Sequence, residues 1–210
     1  MAKEDWGQVI PGGYFHEGTH RYRDENGVPV LSTTQTFQVL GLSDFSRVPE
    51  EVLLWKRQYG VALHKACELL LQGSLDWDSL DDALIAPVTG LEEWFKSVGF
   101  EMESAEERKV ITVSGMRVGM TLDARGKMDF RKQRRNVTVD VKTGTEKSPC
   151  WDWQLGSYSG PGELGVILQV AIDGRVTPHY LLDTAKYKRE FGVLLAAANL
   201  AVGSGIVKVW

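Results

Sequence analysis

Cysteine is scarce: Cys67 and Cys150 are the only two in 210 residues. That excludes a disulfide framework, and it excludes a four-cysteine zinc or iron–sulfur site. Each cysteine fits better as a small buried hydrophobe than as a ligand. Positive charge is not in excess either, with Lys+Arg 24 against Asp+Glu 28 and a net charge of −4. A chain coated in basic residues is therefore ruled out. A nucleic-acid enzyme with local basic residues and metal-holding acidic ones is not. The longest apolar stretch, 191–207, is broken by Asn199, Gly203, Ser204 and Gly205. It falls short of the ~20 apolar residues of a membrane span and reads as a buried helix, so no membrane partner is expected. The opening Met-Ala-Lys-Glu-Asp-Trp carries no apolar leader, and the expected location is the cytoplasm. Repeats and low-complexity tracts are absent.

What remains is an ordinary globular composition, 43% hydrophobic and 25% charged, of a length that suits one domain. Three stretches make it up. Residues 1–48 read as a hairpin and a short helix, with Tyr14, Phe15, Tyr22, Val28 and Val30 as strand formers and Asn26-Gly27 as the tight turn. Residues 49–160 form the central part. A helix opens at Pro49-Glu50-Glu51, carries Val52, Trp55, Tyr59, Leu63, Ala66 and Leu70 at helical spacing, and stops at Gly73. Two shorter helices are expected at 80–85 and 90–98, and then the period shortens to that of β-structure at 107–113, 118–130 and 136–142. A short helix at 151–159 completes this part. Residues 161–210 read as strands 166–171 and 177–182 around Asp173-Gly174, followed by a helix capped at Asp183 or Thr184. The sum is an α/β domain whose central sheet is mixed, largely antiparallel and flanked by helices.

The strand Val137-Thr-Val-Asp140-Val-Lys142 alternates, so Asp140 and Lys142 share a face with Thr138 while the valines face a core. Asp123 lies one hairpin away, and Gly144 ends the strand where a ligand can come close. Gln154 and Tyr158 are four residues apart on the following helix and stack on one side of it. Two carboxylates converging from neighbouring strands repel one another, and a divalent cation relieves that repulsion. Oxygen ligands favour Mg²⁺ or Mn²⁺ over zinc. A cation so held would polarise a phosphodiester and activate water. The Lys142 ammonium beside it would offset charge growing on the phosphoryl oxygens.

With those residues in place, the chain resembles the PD-(D/E)XK nuclease superfamily in its RecB-like and phage-exonuclease branch. The resemblance is an ordered string: Gly60-Val-Ala-Leu-His64 on a helix, a Glu before a strand, Asp123, Asp140-Val-Lys142-Thr-Gly144, and Gln154-x-x-x-Tyr158. It spans residues 60–158, and the N-terminal hairpin and the terminal hairpin and helix are similar to those of phage members. The resemblance implies metal ligation by His64, Asp123, Asp140 and the Val141 carbonyl. It implies Lys142 as the catalytic lysine, with Gln154 and Tyr158 near metal-bound water or the scissile phosphate. For the acidic position Glu107 is chosen on its spacing to Val110, with Glu101, Glu103 and Glu106 as competitors. The family's Gly-x-x-Asp stands here as Gly119-x-x-x-Asp123, a departure that a slip or bulge would explain.

Three further features admit more than one reading. His16-Glu-Gly-Thr-His20 matches the zinc-protease string H-E-x-x-H, but Gly12-Gly13 and Gly18 argue against the helix that such chemistry requires. Arg131, Lys132, Arg134 and Arg135 cluster in the turn between the two acidic strands, as a solvated turn or as a grip on phosphate. Trp151 and Trp153 flank Gln154, either to stack on exposed bases or to pack in the core.

The function expected from all this is a Mg²⁺- or Mn²⁺-dependent DNA exonuclease without an iron–sulfur cluster. The alternatives are a structure-specific endonuclease for junctions or flaps, or a nucleic-acid-binding module that does not cleave. The resemblance further implies phage or mobile-element DNA recombination in the host-cell cytoplasm, a single-strand-annealing or single-strand-binding partner, and a homo-oligomer.

Overall fold

The computed structural model describes residues 6–43 and 48–209. Most of the N-terminal segment expected to lack a leader, residues 1–5, lies outside them. The elements run β1 (Gln8–Ile10), β2 (Gly13–His16), β3 (Arg21–Asp24), β4 (Pro29–Val30), α1 (Thr33–Val39), α2 (Glu50–Leu71), α3 (Asp82–Ser97), β5 (Glu101–Val113), β6 (Met116–Phe130), β7 (Gln133–Lys142), α4 (Pro149–Tyr158), β8 (Leu164–Val170), β9 (Val176–Leu181) and α5 (Thr184–Gly203). The fold is α/β. Five strands form a mixed sheet in the order β5-β6-β7-β8-β9, and β1–β4 form a separate antiparallel sheet.

Within the large sheet only β7 and β8 run parallel, and α4 makes the crossover between them. Both faces of that central pair are covered, which explains the unbroken apolar run Leu-Gly-Val-Ile-Leu of β8. One face packs on α2 and α3: Val137, Val139, Val141, Val166 and Leu168 meet Leu63, Val88 and Leu91 in the main core. The other face carries α4 and α5, where Leu155 packs on Ile167 and Leu181. The small sheet sits on the β5–β6 hairpin through a third cluster of Ile10, Phe15, Tyr22, Val30 and Val110. Two backbone bonds seal that contact, from Val110 N–H to Pro11 O and from Gly119 N–H to Leu31 O, each 2.9 Å.

The structure departs from the sequence expectations at several elements. The helices expected at 80–85 and 90–98 are one helix, α3. Pro87 looks like a breaker but sits six residues in, where it removes a single backbone bond while its ring is buried. Gly90 is no terminator either. It is where α3 passes against the backbone of Gly174, and a Cβ there would collide with the Gly174 carbonyl. The strand expected at 107–113 begins at Glu101, and the hairpin of the N-terminal stretch is a four-strand meander. The stretch 191–207 is not a buried helix throughout. α5 ends at Gly203 and buries only the side bearing Phe191, Leu195 and Ala198, while Val193 and Leu200 are exposed. Cys67 and Cys150 are both buried and free. Among the described residues no helix is long and apolar enough to cross a membrane.

Candidate metal centre and its cleft

A cleft of about 780 Å³ opens between α2, the β5–β6–β7 strands, α4 and the small sheet. It gathers His64, Asp123, Asp140, Lys142, Gln154 and Tyr158, which come from four elements. The strands position the acids. The β6–β7 ladder runs from the Phe130–Gln133 pair to the Ala124–Val139 pair, and beyond that β7 continues beside β8 to Lys142. Asp123 and Asp140 therefore come at the point where β6 and β7 part. The gap is bridged by side chain: Val141 N–H donates to Asp123 Oδ2 at 2.6 Å. Val141 thus meets the cluster through its N–H, a contact separate from the carbonyl ligation that the resemblance implies.

His64 comes from the middle of α2, and its Nδ1 lies 2.9 Å from Asp123 Oδ1. Gly60, one turn earlier, faces Thr143, and a Cβ there would reach ordinary contact with its Oγ1 at 3.9 Å. Burial lowers the imidazole pKa, but the Asp123 charge and hydrogen bond outweigh it, so His64 is raised overall. Asp123 shows the converse. Burial favours its neutral form, yet His64, Lys142 and the Val141 N–H hold it below the usual carboxylate range. Asp140 is buried to 1% exposure, and burial lifts its pKa to about 6, with Asp123 adding to the rise and Lys142 opposing it. The Lys142 ammonium lies 2.8 Å from Asp140 Oδ2. That ammonium is the charge partner of an otherwise enclosed oxygen.

Of the candidate glutamates it is Glu106, and not the expected Glu107, that the fold brings to His64 and Asp123. One ring nitrogen of His64 and one carboxylate oxygen each of Glu106 and Asp123 lie within 4.8 Å of one another. Glu107 turns away to Lys109 at 3.0 Å and Arg125 at 3.3 Å. Strict alternation back from buried Val110 gives Arg108 and then Glu106, so the strand period itself points to Glu106. Counting Glu-x-x-Val instead selects the opposite face. Glu106 has φ 48, which no sequence pattern announces. Burial and the Asp123 charge raise its pKa against the opposing pull of Arg108 and His64.

On the far side of the cleft, Gln154 Nε2 donates to Tyr158 Oη at 3.0 Å, so the pair stacks as the four-residue spacing predicts. Tyr158 is buried, and burial raises its pKa strongly. Gly119 has a packing role. A Cβ there would collide with the ring of Tyr22, whose hydroxyl bonds Thr121 Oγ1 at 2.6 Å on the cleft wall. Gly119 thus serves the seat of the small sheet on β6.

The basic turn and the tryptophans lie elsewhere. Arg131 and Lys132 form the β6–β7 turn at φ 49 and φ 63, the paired left-handed geometry of a tight hairpin. Seven residues of strand separate that turn from Asp123, about 24 Å at ~3.4 Å per residue. Arg134 is engaged with Glu101 at 2.8 Å, Asp129 at 3.3 Å and Gly99 O at 2.6 Å, and Arg135 reaches Gly162 O. Trp151 packs against the core of α4, β8 and β9, beneath Gly144. Trp153 packs near Phe37 and donates its indole N–H to Glu190 at 2.9 Å. Neither indole faces the cleft. His16 lies on a strand, Glu17–Thr19 form a 3₁₀ turn and His20 is left-handed, so the H-E-x-x-H string lacks the α-helix a zinc protease needs.

The donor set fits a hard divalent cation: one imidazole nitrogen, two adjacent carboxylates, and a third, buried carboxylate in the same cleft. No family model and no curated protein matches the chain. One solved structure, titled "Crystal structure of SSO0001", is similar to it at 22% identity and a TM-score of 0.31. That overlap covers 54% of this chain and 56% of the other, and carries no argument about fold or function.

Proposed function

We propose that the chain is a metal-dependent nuclease, and specifically a DNA exonuclease using Mg²⁺ or Mn²⁺. One observation carries the reading. His64, Glu106 and Asp123 converge within 4.8 Å, and on the next strand Asp140 and Lys142 enter the same cleft. In that arrangement His64, Glu106 and Asp123 would hold the ion, with Asp140 completing the set. Such an ion, when bound, supplies Lewis-acid activation of phosphate and water.

The chain's own residues do the rest. Val141 N–H fixes one oxygen of Asp123, so the carboxylate is aimed before any ligand arrives. Lys142, only 17% exposed, brings its ammonium beside the carboxylates, where it can counter charge that develops on a phosphoryl oxygen. Gln154 and Tyr158 form a hydrogen-bonded pair opposite, with amide and hydroxyl groups able to orient a phosphate or water. The high pKa of buried Tyr158 keeps it a neutral hydroxyl donor throughout the working pH range.

The test is end-labelled linear DNA incubated with Mg²⁺, Mn²⁺ or EDTA, alongside covalently closed circular DNA. A ladder of short products from linear DNA with either metal, none in EDTA and an intact circle is the expected outcome. Cutting of the circle would replace the exonuclease by an endonuclease. No cleavage under any condition removes the reading.

A further inference from the structure

A second cavity, of about 710 Å³, lies along the same helix. Its wall on α2 is Trp55, Lys56 and Tyr59, and its wall on the loop after β7 is Thr143, Gly144 and Thr145. These walls continue those of the metal cleft. Lys56, Gly60 and His64 follow one another at four-residue steps along one row of α2, with Lys56 in the second cavity and the other two in the first. Across from them Lys142 faces the first cavity and the next residue, Thr143, faces the second. Gly60 sits where the two meet: a Cβ there would still stand 3.9 Å from Thr143 Oγ1. The two cavities lie end to end along α2.

The second segment has an uncommon surface for a folded chain. Trp55 and Tyr59 stack with centroids 5.3 Å apart and planes 13° from parallel. Trp55 nevertheless remains 51% exposed. A core aromatic would be covered, so this one is an open ledge backed by a second ring. Cations stand beside it: Lys56 and Arg175 line the cavity, and among the described residues neither has an ion-pair partner. The acid nearby, Asp173, turns its carboxylate onto Arg175 N–H to close the β8–β9 turn. The floor is rigid before any ligand binds. Gln169 Nε2 donates to Gly144 O at 2.8 Å, His179 holds Gln169 at 3.0 Å, and Trp151 lies directly under Gly144.

From this surface we infer that the Trp55–Tyr59 ledge is a base-stacking subsite for single-stranded DNA. It receives a nucleotide beyond the one at the metal cluster, while Lys56 and Arg175 hold the backbone. An aromatic face is matched by any unpaired base, and paired bases in a duplex offer no such face to a ledge at the side of a groove. Two cations lining the same cavity as the ledge suit a polyanion that carries a base between phosphates. The charge is local, as a chain of net −4 requires. The inference rests on the nuclease reading for its direction toward the metal, but its binding prediction does not require cleavage.

The experiment uses the full chain in EDTA, so that no probe is consumed, and measures fluorescence anisotropy with a labelled oligothymidylate and with a blunt-ended duplex of the same length. Trp55→Ala weakens oligothymidylate binding by about 5- to 100-fold, the range for removal of one base–aromatic stack. It changes duplex binding by less than about 2-fold, and Trp55→Phe retains most of the single-strand affinity. Lys56→Ala with Arg175→Ala lowers the slope of log affinity against log salt by about 0.7 for each phosphate the pair neutralises. Wild-type affinity in Trp55→Ala overturns the subsite, and so does an equal weakening on single strand and duplex. If Trp55 governs binding but DNA is never cleaved with Mg²⁺ or Mn²⁺, the subsite stands and the nuclease reading falls. If cleavage is normal and Trp55→Ala is silent, the reverse holds.

Discussion

His64 Nδ1 lies 2.9 Å from Asp123 Oδ1, and this contact joins the middle of α2 to the strand that carries the central acid. Each favours the charged form of the other, with the His64 pKa raised and the Asp123 pKa lowered. A raised histidine contributes stability that is complete below its ordinary pKa of 6.5 and is lost as pH climbs through the higher folded value. A lowered aspartate contributes stability that is lost only in strong acid, as pH falls through its folded value. In EDTA the protein should therefore lose thermal stability as pH rises from about 6.5 upward. Added Mn²⁺ should restore it there, because an unprotonated His64 is then free to bind metal. His64→Gln should remove both the slope and most of the rescue. Thermal melts across pH with and without Mn²⁺ would read this directly, and a wild-type slope in the variant would sever His64 from the cluster.

Asp140 carries the opposite sign. Burial lifts its pKa to about 6, so the fold disfavours the carboxylate form that metal binding needs. Asp140→Asn should abolish metal-dependent cleavage, a drop of at least ~100-fold, since one electrostatic partner at a reacting phosphate is removed. The same change should leave the melting temperature in EDTA equal or higher above pH 6, because a carboxylate whose charged form burial disfavours is gone. Lys142→Ala should match the loss of activity but lower stability above pH 6, since it strands that charge. Paired activity and melting curves separate the two variants. Normal turnover in either would remove the proposed mechanism.

Glu106 and Glu107 offer a contrast within one strand. Glu106→Gln should weaken Mn²⁺ binding by about 10- to 100-fold, the usual cost of disturbing a ligand shell. Glu107→Gln should leave metal affinity and cleavage within about 3-fold, because its carboxylate serves partly exposed pairs with Lys109 and Arg125 that contribute little. Isothermal titration with Mn²⁺ on both variants gives the answer, and equal effects would return the two positions to equivalence.

The residues legible from sequence are those whose placement follows from local period. Asp140 and Lys142 share a face because β7 alternates, and Gln154 and Tyr158 pair because α4 turns every 3.6 residues. The β-turn at Asp173-Gly174 and the Asp183 cap of α5 are likewise local. What sequence does not supply depends on distant chain. Gly119 reads as part of a motif until Tyr22 is seen lying on it, and Gly90 reads as the start of a separate helix until Gly174 stands against it. Trp151 and Trp153 are ambiguous in sequence because an indole beside a site and an indole beneath one have the same spacing, and only the packing of α4 on β8 and α5 separates them. That Glu106 and not Glu107 lies beside His64 and Asp123 has a different reason. The strand period does contain the answer, but a three-residue count from Val110 lands on the wrong face.

The β6–β7 turn supplies the last test, because it sets local charge density against position. Arg131, Lys132, Arg134 and Arg135 are the densest positive run in the sequence. In the fold the turn stands about 24 Å along the strand from Asp123, with Arg134 already engaged by Glu101 and Asp129. That separation exceeds the ~8 Å screening length of physiological salt, so the turn should hardly influence a phosphate at the metal cluster. Arg131→Ala with Lys132→Ala should leave the salt slope of oligonucleotide binding unchanged, whereas Lys56→Ala with Arg175→Ala reduces it. Arg134→Ala should act on the fold by releasing Glu101 from the end of the sheet, and show itself in a melting curve, not in a binding isotherm. A flattened salt slope in the Arg131–Lys132 double variant would mean that DNA tracks along the whole hairpin, and would make the groove described for α2 only part of its path.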